Sequence, residues 1–114
     1  MPRRGEVWWA DLDPVVGHEL GRKIRPVLIV SIDAMNQGPA EKVIVVPSTT
    51  QSRGTASEVP LVVRTAGGPR ASYLCCEDVR SISIQRLQGQ FGRGTVPPNV
   101  MTSVEHVLRI LLAL

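Results

Sequence analysis

Residues 26–32, Pro-Val-Leu-Ile-Val-Ser-Ile, and residues 42–47, Lys-Val-Ile-Val-Val-Pro, decide the fold of this chain. Both are continuous apolar runs rich in β-branched residues, which is the pattern of strands buried on both faces. Shorter segments of strand character surround them, and the C-terminal residues repeat with a helical period. The sequence therefore predicts an α+β domain, in which a small curled antiparallel sheet or barrel is followed by a C-terminal helix.

The other elements are predicted from turn residues and short patterns. Four further strands are expected, at residues 5–13, 58–64, 71–78 and 89–94. A helical turn or loop is expected at residues 33–41 and a short helical turn at residues 81–87. Gly67, Gly68 and Pro69 predict the turn between two of the strands. The last helix is expected after Pro97 and Pro98, which suit a first helical turn, with Asn99 or Thr95 as its N-cap.

The composition indicates a single folded domain spanning residues 1–114, because 43% of the residues are hydrophobic. No apolar run is long enough to span a bilayer, and the N-terminal residues lack the apolar core of a signal peptide, so a cytoplasmic location without membrane contact is expected. Adjacent Cys75 and Cys76 offer no zinc spacing and are expected to be buried strand thiols. No metal and no cofactor are predicted.

The charge of the chain suggests an anionic partner. Its formal net charge is +3, and 11 of the 13 basic residues are arginine, whose planar fork matches phosphate oxygens better than lysine does. Nucleic acid is therefore one candidate partner. A GC-rich genome that favours arginine codons would explain the same composition, and charge alone does not choose between these explanations.

No known catalytic triad, metal motif or phosphate-binding glycine loop occurs in the sequence. Polar residues instead gather in three clusters that follow or precede predicted strands: His18, Glu19, Arg22, Lys23 and Arg25; Ser48, Thr49, Thr50, Gln51 and Arg53; and Glu77, Asp78 and Arg80. If the clusters converged, arginine and hydroxyl groups could hold a phosphodiester while a carboxylate or histidine moved a proton. Such a site could cleave RNA without metal, using the 2′-hydroxyl as the nucleophile. Solvated loops are the alternative.

Five segments, in the right order and over nearly the whole chain, resemble the MazF/PemK family of bacterial toxins. They are the N-terminal strand and loop (RGEVWWADLDPVVGHE, 4–19), the segment RPVLIVS (25–31) followed by Asn36, the threonine strand end (VVPSTTQSRG, 45–54), the segment CCEDVRSISIQRL (75–87) and the last helix (MTSVEHVLRILLAL, 101–114).

The resemblance implies a small SH3-like antiparallel β-barrel, of the kind shared by PemK and CcdB toxins, with short helices and a C-terminal α-helix. It implies a homodimer that acts as the toxin of a type II toxin–antitoxin system. The activity it implies is a metal-independent, sequence-specific cut in single-stranded RNA, which leaves 2′,3′-cyclic phosphate and 5′-hydroxyl ends and stops translation and growth. A cognate, MazE-like antitoxin would block the site with a flexible segment.

The same resemblance places the family's catalytic arginine on Arg25 and its catalytic threonine on Thr49. Arginine stays charged and is a poor proton donor, so the proton transfer that cleavage requires is assigned to His18, Glu19 or Glu77. RNA contacts are expected from the other polar residues of the clusters: Arg22, Lys23, Ser48, Thr50, Gln51, Arg53 and Arg80. Some members carry Arg-Cys-Asp late in the sheet, where this chain has Cys75, Cys76 and Glu77, so the late arginine is missing here.

The adjacent tryptophans Trp8 and Trp9 must face opposite sides of a strand. One is expected in the core. The other would line a dimer or antitoxin interface, which is the favoured interpretation, or stack on a base. Two further functions stay open on the same fold: a gyrase-poison-like toxin that binds a protein without cutting RNA, and an inactive relative that only binds antitoxin.

Overall fold

The structure is a computed structural model and describes residues 1–13, 16–18, 24–65 and 67–114. Within these ranges the chain forms, in order, β1 (Val7–Asp11), β2 (Ile24–Ile29), α1 (Asp33–Asn36), β3 (Lys42–Thr49), β4 (Glu58–Thr65), β5 (Gly68–Cys75), β6 (Arg80–Ser83), β7 (Leu87–Gln90) and α2 (Pro98–Leu112). Single 3₁₀ turns lie at Cys76–Asp78, between β5 and β6, and at Ile84–Arg86, between β6 and β7. The predicted α+β class is confirmed.

The sheet is antiparallel and β3 is its central strand. The strand order is β4-β5-β3-β2-β1-β7, and β6 also pairs with β3. Val45 of β3 pairs with Ile29 of β2 and with Arg80 of β6, whereas Ser48 and Thr49 at the end of β3 pair with β5. Strands β5 and β6 therefore follow one another along β3, which passes from one part of the curled sheet into the other. Closure of this sheet into a barrel stays a prediction.

The two runs that decide the fold are buried on both faces, as predicted. Leu28 and Val46 belong to a core cluster that also contains Val100 and Val104 of α2, all of them buried. The alternate residues of the same strands enter a second core cluster, whose members are Ala10, Leu12, Val27, Ile29, Val43, Val45 and Ile82. Since side chains alternate along a strand, β2 and β3 supply both clusters and fix the two faces of the sheet relative to each other.

Helix α2 begins at Pro98, and its N-cap is Pro97, without a side-chain cap hydrogen bond. The prediction of Asn99 or Thr95 as the cap is therefore wrong, although a proline does lie in the first turn, where its missing N–H costs little. The helix is attached to the sheet by Arg4, whose guanidinium donates to the carbonyl oxygen of Val30 and pairs with Glu105 of α2.

Several predicted strand boundaries are wrong. Strand β1 is shorter than residues 5–13, and β2 covers Ile24–Ile29 instead of residues 26–32. Residues 76–78 form a 3₁₀ turn instead of continuing the strand before them, and β6 then forms where only a helical turn was expected. The last strand ends at Gln90, because Gly92 and Gly94 have φ values of +77° and +68°, in the left-handed region that a strand does not adopt. The β4–β5 turn is tighter than predicted, since β5 already begins at Gly68.

No helix in the described ranges is both long enough and apolar enough to cross a membrane.

Candidate active site

A cleft of about 230 Å³ lies beside the central strand, where β2, the end of β3 and β5 meet. It is lined by polar side chains on one part of its wall and by apolar ones on another. Its lining residues are Trp9, Ile24, Arg25, Pro26, Ser48, Thr49, Thr50, Val63, Arg70, Ala71, Ser72 and Phe91. Arg25 from the first polar cluster and three residues of the second cluster are therefore brought together.

Arg25 is fixed on the wall of this cleft by the pairing of β2 with its neighbours. The strand begins at Ile24, one residue before Arg25, so Arg25 lies inside the strand and pairs with Ala10 of β1. Its half-buried guanidinium donates from Nη1 to the carbonyl oxygen of Ser48 at 3.5 Å. Pro26 lacks an N–H, but its carbonyl oxygen accepts a hydrogen bond from Ser48 Oγ at 2.7 Å, which joins β2 to β3.

The end of β3 contributes Thr49 to the lining of the same cleft as Arg25. Thr49 is half-buried, and its Oγ1 accepts a hydrogen bond from the backbone N–H of Gln51 at 3.3 Å, which starts the turn away from the strand. The hydroxyl of Ser72 on β5 donates to the carbonyl oxygen of Thr49 at 3.3 Å. The strand end is thus held from both sides, by β2 and by β5.

The apolar part of the wall is formed by Trp9 and Phe91, whose ring centroids are 4.9 Å apart with the planes at 74°. Trp9 keeps 38% of its surface exposed. Trp8 instead packs against the second core cluster and donates from Nε1 to Glu6 Oε1 at 3.0 Å. The core tryptophan is therefore Trp8, and Trp9 is the one available to the cleft.

The third polar cluster lies apart from the lining of the cleft and contacts the loop after β3. Thr55 Oγ1 donates to Glu77 Oε1 at 3.3 Å, and Arg53 pairs with Asp78 at 3.3 Å. Glu58 completes this region, which we call the anchored loop (residues 51–58 with Glu77 and Asp78). Its carboxylate accepts from Ser52 Oγ at 2.7 Å and from the Arg53 N–H at 2.8 Å, and these hydrogen bonds lower the pKa of Glu58.

The remaining predicted site residues do not enter the described lining of the cleft. The guanidinium of Arg80 donates to the carbonyl oxygen of Leu12 at 3.4 Å, which gives it a structural contact. His18 is exposed in a turn, and Gln51 is exposed on the anchored loop. Glu19, Arg22 and Lys23 lie outside the described residues. The roles predicted for these side chains stay predictions.

Sequence reasoning missed Arg70, Ser72 and Phe91 as residues of the cleft. Ser72 and Phe91 lie in segments that were interpreted only as strands, and Arg70 lies between a predicted turn and a predicted strand, outside the polar clusters. The alternation of Arg70 and Ser72 along β5 was the available signal, because residues two apart face the same side of a strand. Which side faces a cleft follows only from the pairing of β5 with the end of β3.

Both cysteines are buried, as predicted, and burial raises the pKa of Cys75 and of Cys76 to about 11. A thiol with so high a pKa is almost entirely protonated near neutral pH and is a poor nucleophile. Within the described ranges, no three His, Cys, Asp or Glu side chains lie together in a way that could hold a metal ion.

Residues 3–112 match the family described as the PemK-like, MazF-like toxin of type II toxin–antitoxin systems. The chain belongs to this family. Among curated MazF relatives, the endoribonuclease EndoA of Bacillus subtilis (strain 168) is 34% identical over 113 residues, covering 98% of this chain and 95% of EndoA.

Solved structures of MazF toxins share the fold. The crystal structure of MazF from Deinococcus radiodurans has a TM-score of 0.82 at 26% identity, covering 99% of this chain and 97% of that one. An endoribonuclease in complex with its cognate antitoxin from Mycobacterial species has a TM-score of 0.76 at 25% identity, covering 100% of this chain and 97% of that one. The predicted membership of the MazF/PemK family is confirmed.

Proposed function

We propose that this MazF-family chain is an endoribonuclease toxin that cuts single-stranded RNA in the cleft lined by Arg25 and Thr49. The observation that carries the proposal is that these two side chains, which lie on different strands, line one cleft beside an exposed tryptophan. The names of the relatives support the activity, since they are endoribonucleases. No comparable observation favours a toxin that only binds a protein.

The chemistry that suits this cleft is an internal displacement at phosphorus. The 2′-oxygen of the RNA attacks the adjacent phosphorus, the bond from phosphorus to the 5′-oxygen breaks, and the products are a 2′,3′-cyclic phosphate and a 5′-hydroxyl. Negative charge grows on the phosphoryl oxygens as the fifth bond forms. The guanidinium of Arg25 would stabilise this charge, and the Thr49 hydroxyl would donate to a phosphoryl oxygen and orient it.

Two protons must move in this reaction, one from the 2′-hydroxyl and one to the departing 5′-oxygen. Arg25 is unsuited to either transfer because a guanidinium stays protonated in proteins. The candidates remain His18, Glu19 and Glu77. Glu77 is engaged with Thr55 in the anchored loop and lies off the described wall of the cleft, so it would have to be brought to the RNA by movement of that loop or by a second chain.

The apolar wall supports a single-stranded substrate. Bases in single strands are unstacked and can rest on aromatic side chains, whereas a duplex hides them. Trp9, in T-shaped contact with Phe91, offers such a surface beside the two phosphate-binding candidates. We therefore assign the base next to the cut to Trp9.

A cognate, MazE-like antitoxin and a second copy of the chain are the proposed partners. A related endoribonuclease has been solved with its cognate antitoxin, which supports the first. Exposed apolar side chains at the C-terminal end of α2 support the second, since a surface of this kind is favourable to cover. They are Ile110, Leu111, Leu112 and Leu114.

The proposal is tested by incubating the wild-type chain with a long single-stranded RNA in EDTA and mapping the product ends. We expect discrete cuts that leave 2′,3′-cyclic phosphate and 5′-hydroxyl ends, and loss of the same cuts in Arg25→Ala. The folded state of both proteins is checked by circular dichroism. Intact RNA with folded wild-type protein, over RNAs of varied sequence, would contradict the proposal.

A further inference from the structure

We propose that Arg70 is a second phosphate-binding residue of the cleft, which holds the RNA backbone while Arg25 acts on the phosphate that reacts. This inference rests on the proposed function, because it assigns a further contact to the same substrate. It goes beyond it in naming a residue of β5 that no motif of the sequence pointed to.

The position of Arg70 is set by the pairing of β5. Arg70 is exposed, pairs with Val63 of β4, and lines the cleft together with it. Ser72, two residues later and so on the same side of the strand, donates its hydroxyl to the carbonyl oxygen of Thr49 at 3.3 Å. That contact ties the part of β5 that carries Arg70 to the strand end that carries Thr49.

The charged side chains among the described residues that line the cleft are all positive. Among the described residues that line it, Arg25 and Arg70 are the charged side chains, and no carboxylate lines the wall with them. Two cations in a concave site attract a polyanion, and each can present a planar fork to phosphate oxygens. Within the described part of the chain, the ion pairs are Arg4–Glu105 and Arg53–Asp78, so neither pair involves Arg70.

A phosphate contact formed before the reaction has a distinct kinetic signature. Losing it weakens substrate and transition state together, so KM rises while kcat changes little. Loss of the contact also removes one protein cation that displaces counterions from single-stranded RNA on binding. The slope of log affinity against log salt therefore becomes shallower by about 0.7. A structural arginine would change neither quantity in this pattern.

The experiment compares wild type, Arg70→Gln, Arg70→Lys and the matched control Arg109→Gln, which removes one exposed arginine from α2 away from the cleft. Cleavage of a single-stranded RNA gives kcat and KM. Binding of the 2′-deoxy analogue, which cannot be cut by its own 2′-oxygen, is measured between about 50 and 200 mM salt. We expect Arg70→Gln to raise KM and Kd about tenfold, the effect of losing a charge-assisted hydrogen bond, and to flatten the salt slope. Arg70→Lys should keep the wild-type slope of log affinity against log salt, because lysine keeps the positive charge.

The inference would be overturned if Arg70→Gln and Arg109→Gln had the same KM, Kd and salt slope. It would also be overturned if Arg70→Gln lowered kcat and left KM and the salt slope unchanged. A third contradicting result is a salt slope that flattens as much in Arg70→Lys as in Arg70→Gln. If Arg70→Gln failed to fold, Arg70→Lys against Arg109→Lys would decide the inference by KM, since lysine keeps the charge and loses the fork. Failure of the proposed function is distinguishable, because the wild-type chain itself would then leave the RNA intact.

Discussion

The cleft and the anchored loop contain the same kinds of side chain but use them differently. In the anchored loop, the charges face one another: Arg53 pairs with Asp78, and Glu58 accepts two hydrogen bonds from the loop itself. In the cleft, Arg25 and Arg70 share a wall with hydroxyl groups and an exposed tryptophan, and no carboxylate lines it among the described residues. A polar cluster in this fold is therefore a candidate site where its charged groups line a cavity, and a structural element where they pair with one another.

The largest difference between the two regions is expected when an arginine is replaced by glutamine in each of them. Arg25→Gln should lower the rate of RNA cleavage about 10²–10³-fold, because it removes a charged donor to the reacting phosphate. Arg53→Gln should stay within about fivefold of wild type, because it removes an ion pair at the protein surface. Single-turnover cleavage with saturating protein measures both. Equal losses in the two variants would show that the regions do not differ in function.

The aromatic wall gives the next largest effect. Trp9→Ala should weaken binding of single-stranded RNA by about 1–3 kcal/mol, the usual contribution of stacking one base on an aromatic ring. Trp9→Phe should recover most of the affinity. Fluorescence anisotropy with a labelled 2′-deoxy oligonucleotide measures it, with the melting temperature as the control for folding. Unchanged RNA affinity in Trp9→Ala would contradict base stacking and favour Trp9 as part of an interface with a protein partner.

The hydroxyl of Thr49 should contribute less than either. Thr49→Val keeps the volume and removes the hydroxyl, so we expect cleavage to fall about tenfold, as for one hydrogen bond. Thr49→Ser keeps the hydroxyl and should cleave at nearly the wild-type rate. Since Thr49 Oγ1 also accepts from the Gln51 N–H, melting temperatures separate a local loss of order from a loss of chemistry. Equal cleavage rates of Thr49→Val and wild type would show that the Thr49 hydroxyl has no role in the reaction.

The anchored loop should respond to pH while leaving the cleft unchanged. The pKa of Glu58 is lowered from its ordinary value of 4.5, first by the Ser52 hydroxyl and then by the Arg53 N–H. Its carboxylate therefore stabilises the loop above pH 4.5, and this contribution is lost as the pH falls through the lower folded value. The NMR shift of the Arg53 amide should titrate with a midpoint below 4.5. A midpoint at or above that value would contradict these hydrogen bonds.

Much of this fold follows from local sequence patterns, and the site follows from them only in part. The runs in β2 and β3 are apolar at nearly every position, so their burial on both faces could be predicted. Arg25 and Thr49 were predicted through the family resemblance, and the structure places both in one cleft. Arg70 and Phe91 could not be assigned, because membership of the cleft depends on long-range pairing that no local pattern contains. The same limit applies to Glu77, whose loop contacts come from residues about twenty positions away.

The most direct test of the account is to map where RNA binds. A ¹⁵N-labelled chain is titrated with a single-stranded oligonucleotide whose 2′-hydroxyls are replaced by hydrogen, and the backbone amide shifts are followed. We expect the largest shifts in the cleft, at Arg25, Thr49 and Ser72, and only small shifts in the anchored loop. Largest shifts at Arg53, Glu77 and Asp78, with the cleft unchanged, would contradict it.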